Sequence, residues 1–539
     1  MRERRLSRRP AKAPQSRTLC AVSGCILAAW LALAATAATA APPADLDAYA
    51  AHAMDTFGAP GMAVAIVEGD RIYTRAYGVR ELGAPQRVDE HTTFPIGSNT
   101  KAFTATALAI LVDRGKLAWD DRVIDRLPGF KMYDAYASQE MTVRDLLTHR
   151  SGLGLGEGDL MFVPTTTRTR ADLVHALRYL KPATSFRSVF AYDNILYSVA
   201  GELIEGVSGR SWEDFVKEQI FTPAGMSDSA VSFEGQGPDH VAQHARTSEA
   251  IRGIGPLSVL EPGHESGASA PAGSIFSSAA DMGLWLRLQL AHGALGDGKR
   301  LFSEAASREM WTPQTIIPIS PVPAPVAMIQ PNFEDYGLGF FIQDYRGHKI
   351  ITHSGAILGG LSALVIVPEK NVAFAVMINS EDSGARWSVF YHLLDHYLEL
   401  PSSDWPALYS QAFEKIRADA VRTLASNRVA AHPERGPSLP LAAYAGDYRD
   451  PWYGVATISP SASGLRIRFT ATPGMEGALE HVQYDTFRTR WTDRNIEDAY
   501  LTFTLDPKGA IAAIAMQSVS PTADFSFDYQ DLHFVPAAH

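Results

Sequence analysis

Only two of the 539 residues are cysteine, Cys20 and Cys25, and both fall within the first forty positions. The rest of the chain has no thiol, which excludes disulfides, thiol catalysis and cysteine-ligated metals there. Positive charge is also scarce. The first forty residues carry seven of the 48 basic residues and one of the 59 acidic ones, so the remainder has a formal charge of −17. Such a surface disfavours nucleic acid and anionic lipid as partners. Beyond position 40 no run is long and apolar enough to span a bilayer. There is no G-x-S-x-G elbow, which argues against an α/β-hydrolase. His392 and His396 have helical i, i+4 spacing, but no glutamate follows His392 and no third ligand is evident, so neither a metal nor a cofactor is expected.

What is present begins with a leader. Arg2, Arg4, Arg5, Arg8, Arg9, Lys12 and Arg17 precede an apolar stretch from Leu19 to about Ala35, and Ala38-Thr39-Ala40 leads into Ala41-Pro42-Pro43. This is the pattern of a secretory signal peptide over residues 1–40, which implies a periplasmic or secreted protein, free of the membrane after cleavage. An uncleaved anchor is the alternative reading. Ser7-Arg8-Arg9 and Val22-Ser23-Gly24-Cys25 match twin-arginine and lipoprotein signals only in part.

The length exceeds a single hydrophobic core. Composition is that of a globular protein, with 46% hydrophobic and 20% charged residues. Met62–Val67 and Arg71–Tyr77 form one predicted hairpin, and Ser362–Val367 and Val372–Ile378 another. Their apolar runs need a common sheet to bury them. Between them lie helical patterns over 102–112, 141–149, 194–204, 212–220 and 278–289, and two irregular stretches, 233–273 and 312–331, expected to form walls or lids. The fold class is therefore mixed α/β: an antiparallel sheet from both chain ends, flanked by helices, with an all-α insertion around 110–270. This catalytic unit spans 41–400. Helical patterns and a Pro-rich linker occupy 401–440. From 441 to 539 short alternating runs predict a small β-barrel or sandwich, with Arg466, Arg468, Arg488 and Arg490 on solvated outer faces.

Ala102–Val112 contains no charge, which marks a buried helix. Ser98 and Lys101 open it, three apart and one turn from each other. An ammonium at the mouth of a core helix is costly to desolvate, so its neutral form becomes accessible, and a serine hydroxyl sits beside it. Tyr192-Asp193-Asn194 brings a phenol and a carboxamide to the start of another helix. His353-Ser354-Gly355 stands at a strand edge, where Gly355 would let a substrate backbone approach closely. His149, at the end of a predicted helix, reads as structural.

Ser98-Asn-Thr-Lys101, Tyr192-Asp-Asn194 and His353-Ser-Gly355, in that order, together resemble the serine β-lactamase, DD-peptidase and penicillin-binding superfamily, in its class-C-like branch. Leu146–Gly154, Pro223–Met226 and Tyr336–Gly339 add to the likeness, which covers roughly residues 45–400, and the barrel resembles a lipocalin-like appendage. The resemblance implies acyl transfer in which Ser98 is the nucleophile and Lys101 or Tyr192 its base. Asn194 would bind Lys101 and the substrate amide. The N–H groups of Ser98 and Ala356 would form the oxyanion hole. His353 stands where lysine is commonest, so activity on a carboxylate-bearing substrate is expected to strengthen as His353 protonates. The implied substrates are small peptides or D-amino-acid-containing amides, with esters and β-lactams as alternatives, and a non-catalytic acylated sensor as a reading of another class. A small molecule or peptide is the expected partner, with self-assembly left open.

Overall fold

The strand Gly61–Glu68 pairs antiparallel with Val372–Ile378, in register from Met62 opposite Ile378 to Glu68 opposite Val372. The two hairpins, some three hundred residues apart, thus complete one sheet. Every residue of Gly61–Glu68 is buried because the sheet is covered on both faces. Ala63, Ala65 and Val67 point into the same core as Met282 and Trp285 of helix Ala279–Leu290. Met62, Val64 and Ile66 face Leu46 and Ala50 of helix Leu46–Phe57 and Val389 of helix Ser383–Tyr397. An apolar run without alternation is what a strand between two helical layers requires. The full sheet has eight strands, with the pair Gly360–Val367 and His348–Ile357 next to Val372–Ile378, and Thr315–Ile316 at the far edge.

This computed structural model describes residues 41–261, 266–462 and 464–537. The expected leader and both cysteines lie outside them. Among the described residues no helix is long and apolar enough to cross a membrane, and no group of three or more His, Cys, Asp or Glu could hold a metal ion. His392 bonds Asp45 at 3.2 Å and stacks on Tyr49, while His396 reaches the carbonyl of Ala41.

In the 110–270 insertion helices alternate with turns, and one two-residue ladder, His244–Ala245 with Ser258–Val259, interrupts the expected all-α character. One expectation fails there. The 141–149 segment is not a helix but a single 3-10 turn, Asp145–Leu147. The reciprocal bonds of a cap do form: Thr142 N–H donates to Asp145 and Asp145 N–H to the Thr142 hydroxyl. But the fully buried Asp145 carboxylate also draws in Arg150 and Arg187, at 2.9 and 2.5 Å. The chain then turns away at His149, whose φ is +53°. Tertiary ion pairing has overridden helical propensity.

After helix Trp405–Ala430, eight strands from Gly446–Asp450 to His533–Pro536 close into a barrel. Its interior is filled by alternating residues such as Ile467, Phe469, Phe487 and Trp491. The outward arginines are not all simply solvated. Arg488 and Arg490, with Arg494, each donate to the buried Asp498 at 3.0 Å.

Asp145 is held by two guanidinium groups while wholly buried, and its carboxyl is pulled below the ordinary range by Arg187, Thr142 and Arg150 against the opposing effect of burial. Asp145→Ala should therefore cost about 3 kcal/mol of stability in denaturant unfolding at neutral pH. Because the folded-state pKa is lowered, this stability is present above the unfolded carboxylate pKa and is lost on acidification. The variant's deficit should shrink in parallel.

Candidate active site

Ser98 lies in the 3-10 turn Gly97–Asn99, which runs directly into helix Thr100–Asp113. Gly97 has φ +51°, and a Cβ there would sit 2.6 Å from the backbone nitrogen of Ala356. Glycine thus lets the turn press its backbone against the strand edge. Residues Thr100 to Leu111 are all buried, and the helix's polar groups are matched. Ile275 N–H and Trp212 Nε1–H donate to the hydroxyls of Thr100 and Thr104, and the Thr104 hydroxyl donates to the carbonyl of Pro271. Phe103 stacks on Trp285 at 3.8 Å.

Lys101 is 0% exposed. Its amine has three partners: Ser98 Oγ at 3.0 Å, Asn194 Oδ1 at 2.7 Å and the carbonyl of Ala272 at 2.9 Å. None is a carboxylate. The ammonium form can donate to all three. In the neutral amine two N–H groups suffice for Asn194 Oδ1 and Ala272 O, which can only accept, and the lone pair is left facing Ser98, whose O–H is the one donor of the set. Burial pushes the Lys101 amine down to about 7, with Asp159 and Asp193 pulling the other way. The Tyr192 ring lies 4.8 Å from the amine. Burial drives its phenol up, with Ser98's hydrogen bond opposing, so Tyr192 keeps its proton while Lys101 sheds one. Of the two candidate bases, only Lys101 has its free form within reach at neutral pH.

The structure brings Ser98, Lys101, Tyr192, Asn194 and the His353 strand together, and it bears on the roles expected of His353 and Gly355. His353 is 2% exposed. Its Nδ1 lies 2.7 Å from the carbonyl of Ser354, which can only accept, so Nδ1 carries the proton. Its Nε2 then accepts from the Tyr336 hydroxyl at 3.0 Å. Burial, with the charge of Lys101, lowers its pKa to about 3. Both the burial and these two hydrogen bonds favour the neutral ring, which runs against the expected strengthening of activity on protonation of His353. At Gly355 a Cβ would lie 1.8 Å from the carbonyl of Ile96, so the chain's own backbone already makes one close approach there. Arg386, buried on helix Ser383–Tyr397, braces this strand by donating to the carbonyls of Ser362 and Gly355. Ala356, next along, is exposed at the mouth.

Sequence reasoning missed several neighbours. His149 is fully buried, stacked on Tyr192 with ring centres 4.2 Å apart and edge-on to Tyr336. It belongs to the wall of the site and does not cap a helix; the match over Leu146–Gly154 was the available signal. Asp159 accepts from Asn194 Nδ2 at 2.7 Å, and Phe525 of the barrel packs edge-on to Tyr192. Nothing in the local sequence announces either. An open groove of about 980 Å³ lies beyond Phe525, between Leu155, the barrel and helix Trp405–Ala430, and neither Ser98, Lys101, Tyr192, Asn194 nor His353 lines it. Uncharged polar groups, among them Asn427, Thr486 and Thr502, line much of it.

Residues 46–399 match the family described as Beta-lactamase. The chain belongs to that family. Residues 430–536 match a domain of unknown function, DUF3471. Penicillin-binding protein 4 of Amycolatopsis lactamdurans is 30% identical over 66% of this chain and 89% of its own length. An unguisins hydrolase of Aspergillus campestris is 28% identical over 77% of each chain. The octameric penicillin-binding protein homologue from Pyrococcus abyssi shares the fold, with a TM-score of 0.53 at 21% identity over 91% of this chain and 99% of that one. The protein is accordingly a serine hydrolase of the Beta-lactamase family, related to penicillin-binding proteins.

The electrostatics give a signed expectation. If neutral Lys101 is the active form, kcat/KM should fall tenfold per pH unit below a pKa of about 7 and level off above it, with no alkaline fall from Tyr192 near neutrality. His353→Gln, which retains polar groups on both sides, should leave that acid limb where it is.

Proposed function

We propose that the protein is a secreted or periplasmic serine hydrolase that cleaves amide bonds in small peptides or D-amino-acid-containing substrates through an acyl-enzyme on Ser98. The observation that carries this reading is a buried Lys101 amine 3.0 Å from the Ser98 hydroxyl with no carboxylate among its partners; in the neutral form its lone pair faces that hydroxyl. Ser98 gives its proton to Lys101 as Oγ attacks the carbonyl carbon, and the developing oxyanion takes hydrogen bonds from the N–H groups of Ser98 and Ala356. The Tyr192 O–H passes its proton to the departing amine and is reprotonated from Lys101. The acyl ester on Ser98 then yields to water, whose proton returns through the same groups, releasing the carboxylic acid and restoring Ser98. Asn194 holds Lys101 and offers its carboxamide to the substrate. The relation to a penicillin-binding protein and to a hydrolase of unguisins supports hydrolysis of acyl compounds.

A carboxylesterase is the second reading, and neutral His353 favours it: the site offers no cation at that position to attract a substrate carboxylate. The same feature weighs against a dedicated β-lactamase and against a permanently acylated antibiotic sensor. A homo-oligomer remains part of the proposal, as does export through the N-terminal leader.

The test is a panel of D- and L-amino-acid amides, short peptides, esters and a cephalosporin, run on wild type and Ser98→Ala. The expected outcome is turnover of amides by wild type and a loss of about 10³-fold or more in the variant. Turnover of esters alone moves the assignment to the second reading. Hydrolysis that persists undiminished in Ser98→Ala overturns the mechanism.

A further inference from the structure

Asn194 can bind Lys101 in two ways, and only one leaves a working base. With Oδ1 toward the amine it accepts an N–H and spares the lone pair. Flipped, its NH₂ group would donate to that lone pair and compete with Ser98. The choice is made on the far side of the carboxamide, where Asp159 Oδ2 accepts from Nδ2 at 2.7 Å and so turns Oδ1 to Lys101.

Asp159 opens the 3-10 turn Asp159–Met161 and is fully buried. What holds it comes from the barrel, some 370 residues later. The Ser526 hydroxyl donates to the same Asp159 Oδ2 at 2.8 Å. The amides of Gly158 and Leu160, on either side of Asp159, donate to the two carboxylate oxygens of Asp528 at 2.7 and 2.9 Å. The fit extends to the neighbouring turn. Gly156 has φ +68°, and a Cβ there would lie 2.6 Å from the Phe525 ring, which in turn touches Tyr192. The segment 519–532 is thus moulded to the loop that aims Asn194, and an ordinary domain contact has no reason to reach the hydrogen-bond partner of a catalytic amide.

We propose that Ser526 and Asp528 of the barrel are positioning residues for hydrolysis, acting through Asp159 and Asn194 to keep the lone pair of Lys101 on Ser98. This rests on the reading of Lys101 as base. The charged groups facing Asp159 are Lys101 from the core helix, Asp524 and Asp528 from the barrel loop, and those acting on Lys101 include Asp193. Burial raises Asp159 to about 7, opposed by its bonds to Asn194 and Ser526 and by Lys101. A negative Asp159 holds the proton on Lys101, so weakening that charge lets Lys101 deprotonate at lower pH.

The experiment is the kcat/KM pH profile of Ser526→Ala, Ser526→Thr, Asp159→Asn and Ser526→Ala/Asp159→Asn, with rates normalised to sites labelled by a fluorophosphonate so that misfolded molecules drop out. Asp159→Asn keeps an acceptor for Asn194 but loses the charge, and its acid limb should move to lower pH by about half a unit or more. Ser526→Ala should move it the same way by less and lower kcat several-fold with little change in KM, and Ser526→Thr should restore both. In the double variant Ser526→Ala should add no further shift. Wild-type limbs and wild-type normalised kcat in both Ser526→Ala and Asp159→Asn, or full additivity in the double, overturn the proposal. That outcome is distinct from failure of the parent reading, in which wild type itself shows no limb near neutrality.

Discussion

One buried amine organises this molecule. Lys101 is shut away from water at the start of a helix that is buried along almost its whole length, and its partners are a hydroxyl, a carboxamide and a carbonyl. An ammonium in that setting is held at the expense of solvation, so the proton leaves at a pH where exposed lysines keep theirs. For the helix to be central, the sheet must be in place. For the sheet to be in place, strands from the two ends of the catalytic unit must meet, as Gly61–Glu68 and Val372–Ile378 do. The proton affinity of a single side chain is in this sense a property of the long-range topology.

The surroundings of the amine follow from the same constraint. A second cation close by would raise the cost of charging the site, and the groups packed around it are instead neutral donors and acceptors. His353 is fixed as a neutral ring between the Ser354 carbonyl and the Tyr336 phenol. Tyr192 retains its proton, which suits a relay and not a resting base. The acids that do face the site, Asp159 and Asp193, act at one remove, holding Asn194 and Ser151. Their charge limits how far the amine can fall.

Much of this was legible beforehand, and for physical reasons. The unalternating strands, the uncharged helix behind Ser98 and the alternating barrel strands are local patterns, and each specifies its own burial. What was not legible depends on contacts that local pattern does not encode. The 141–149 segment carries a helix's capping residues, yet Asp145 finds Arg187 and the turn closes early. Gly355 reads as a close-approach position, but the Ile96 carbonyl that approaches it is 259 residues away in sequence. The tripeptide around His353 carries no sign of the burial that lowers its proton affinity. Asp159, Ser526 and Asp528 carry no motif at all; their meaning lies in the docking of the barrel loop on the catalytic unit.

The most direct measurement is the titration of Lys101 itself. Reductive ¹³C-methylation would alter the amine, so the cleaner route is ¹³Cε-labelled lysine followed by NMR across pH, with Lys101→Arg used to assign the resonance. The account predicts that one lysine titrates at about 7, far below the rest. A Lys101 resonance that stays in its ammonium form up to pH about 10, as an unperturbed lysine does, would contradict it.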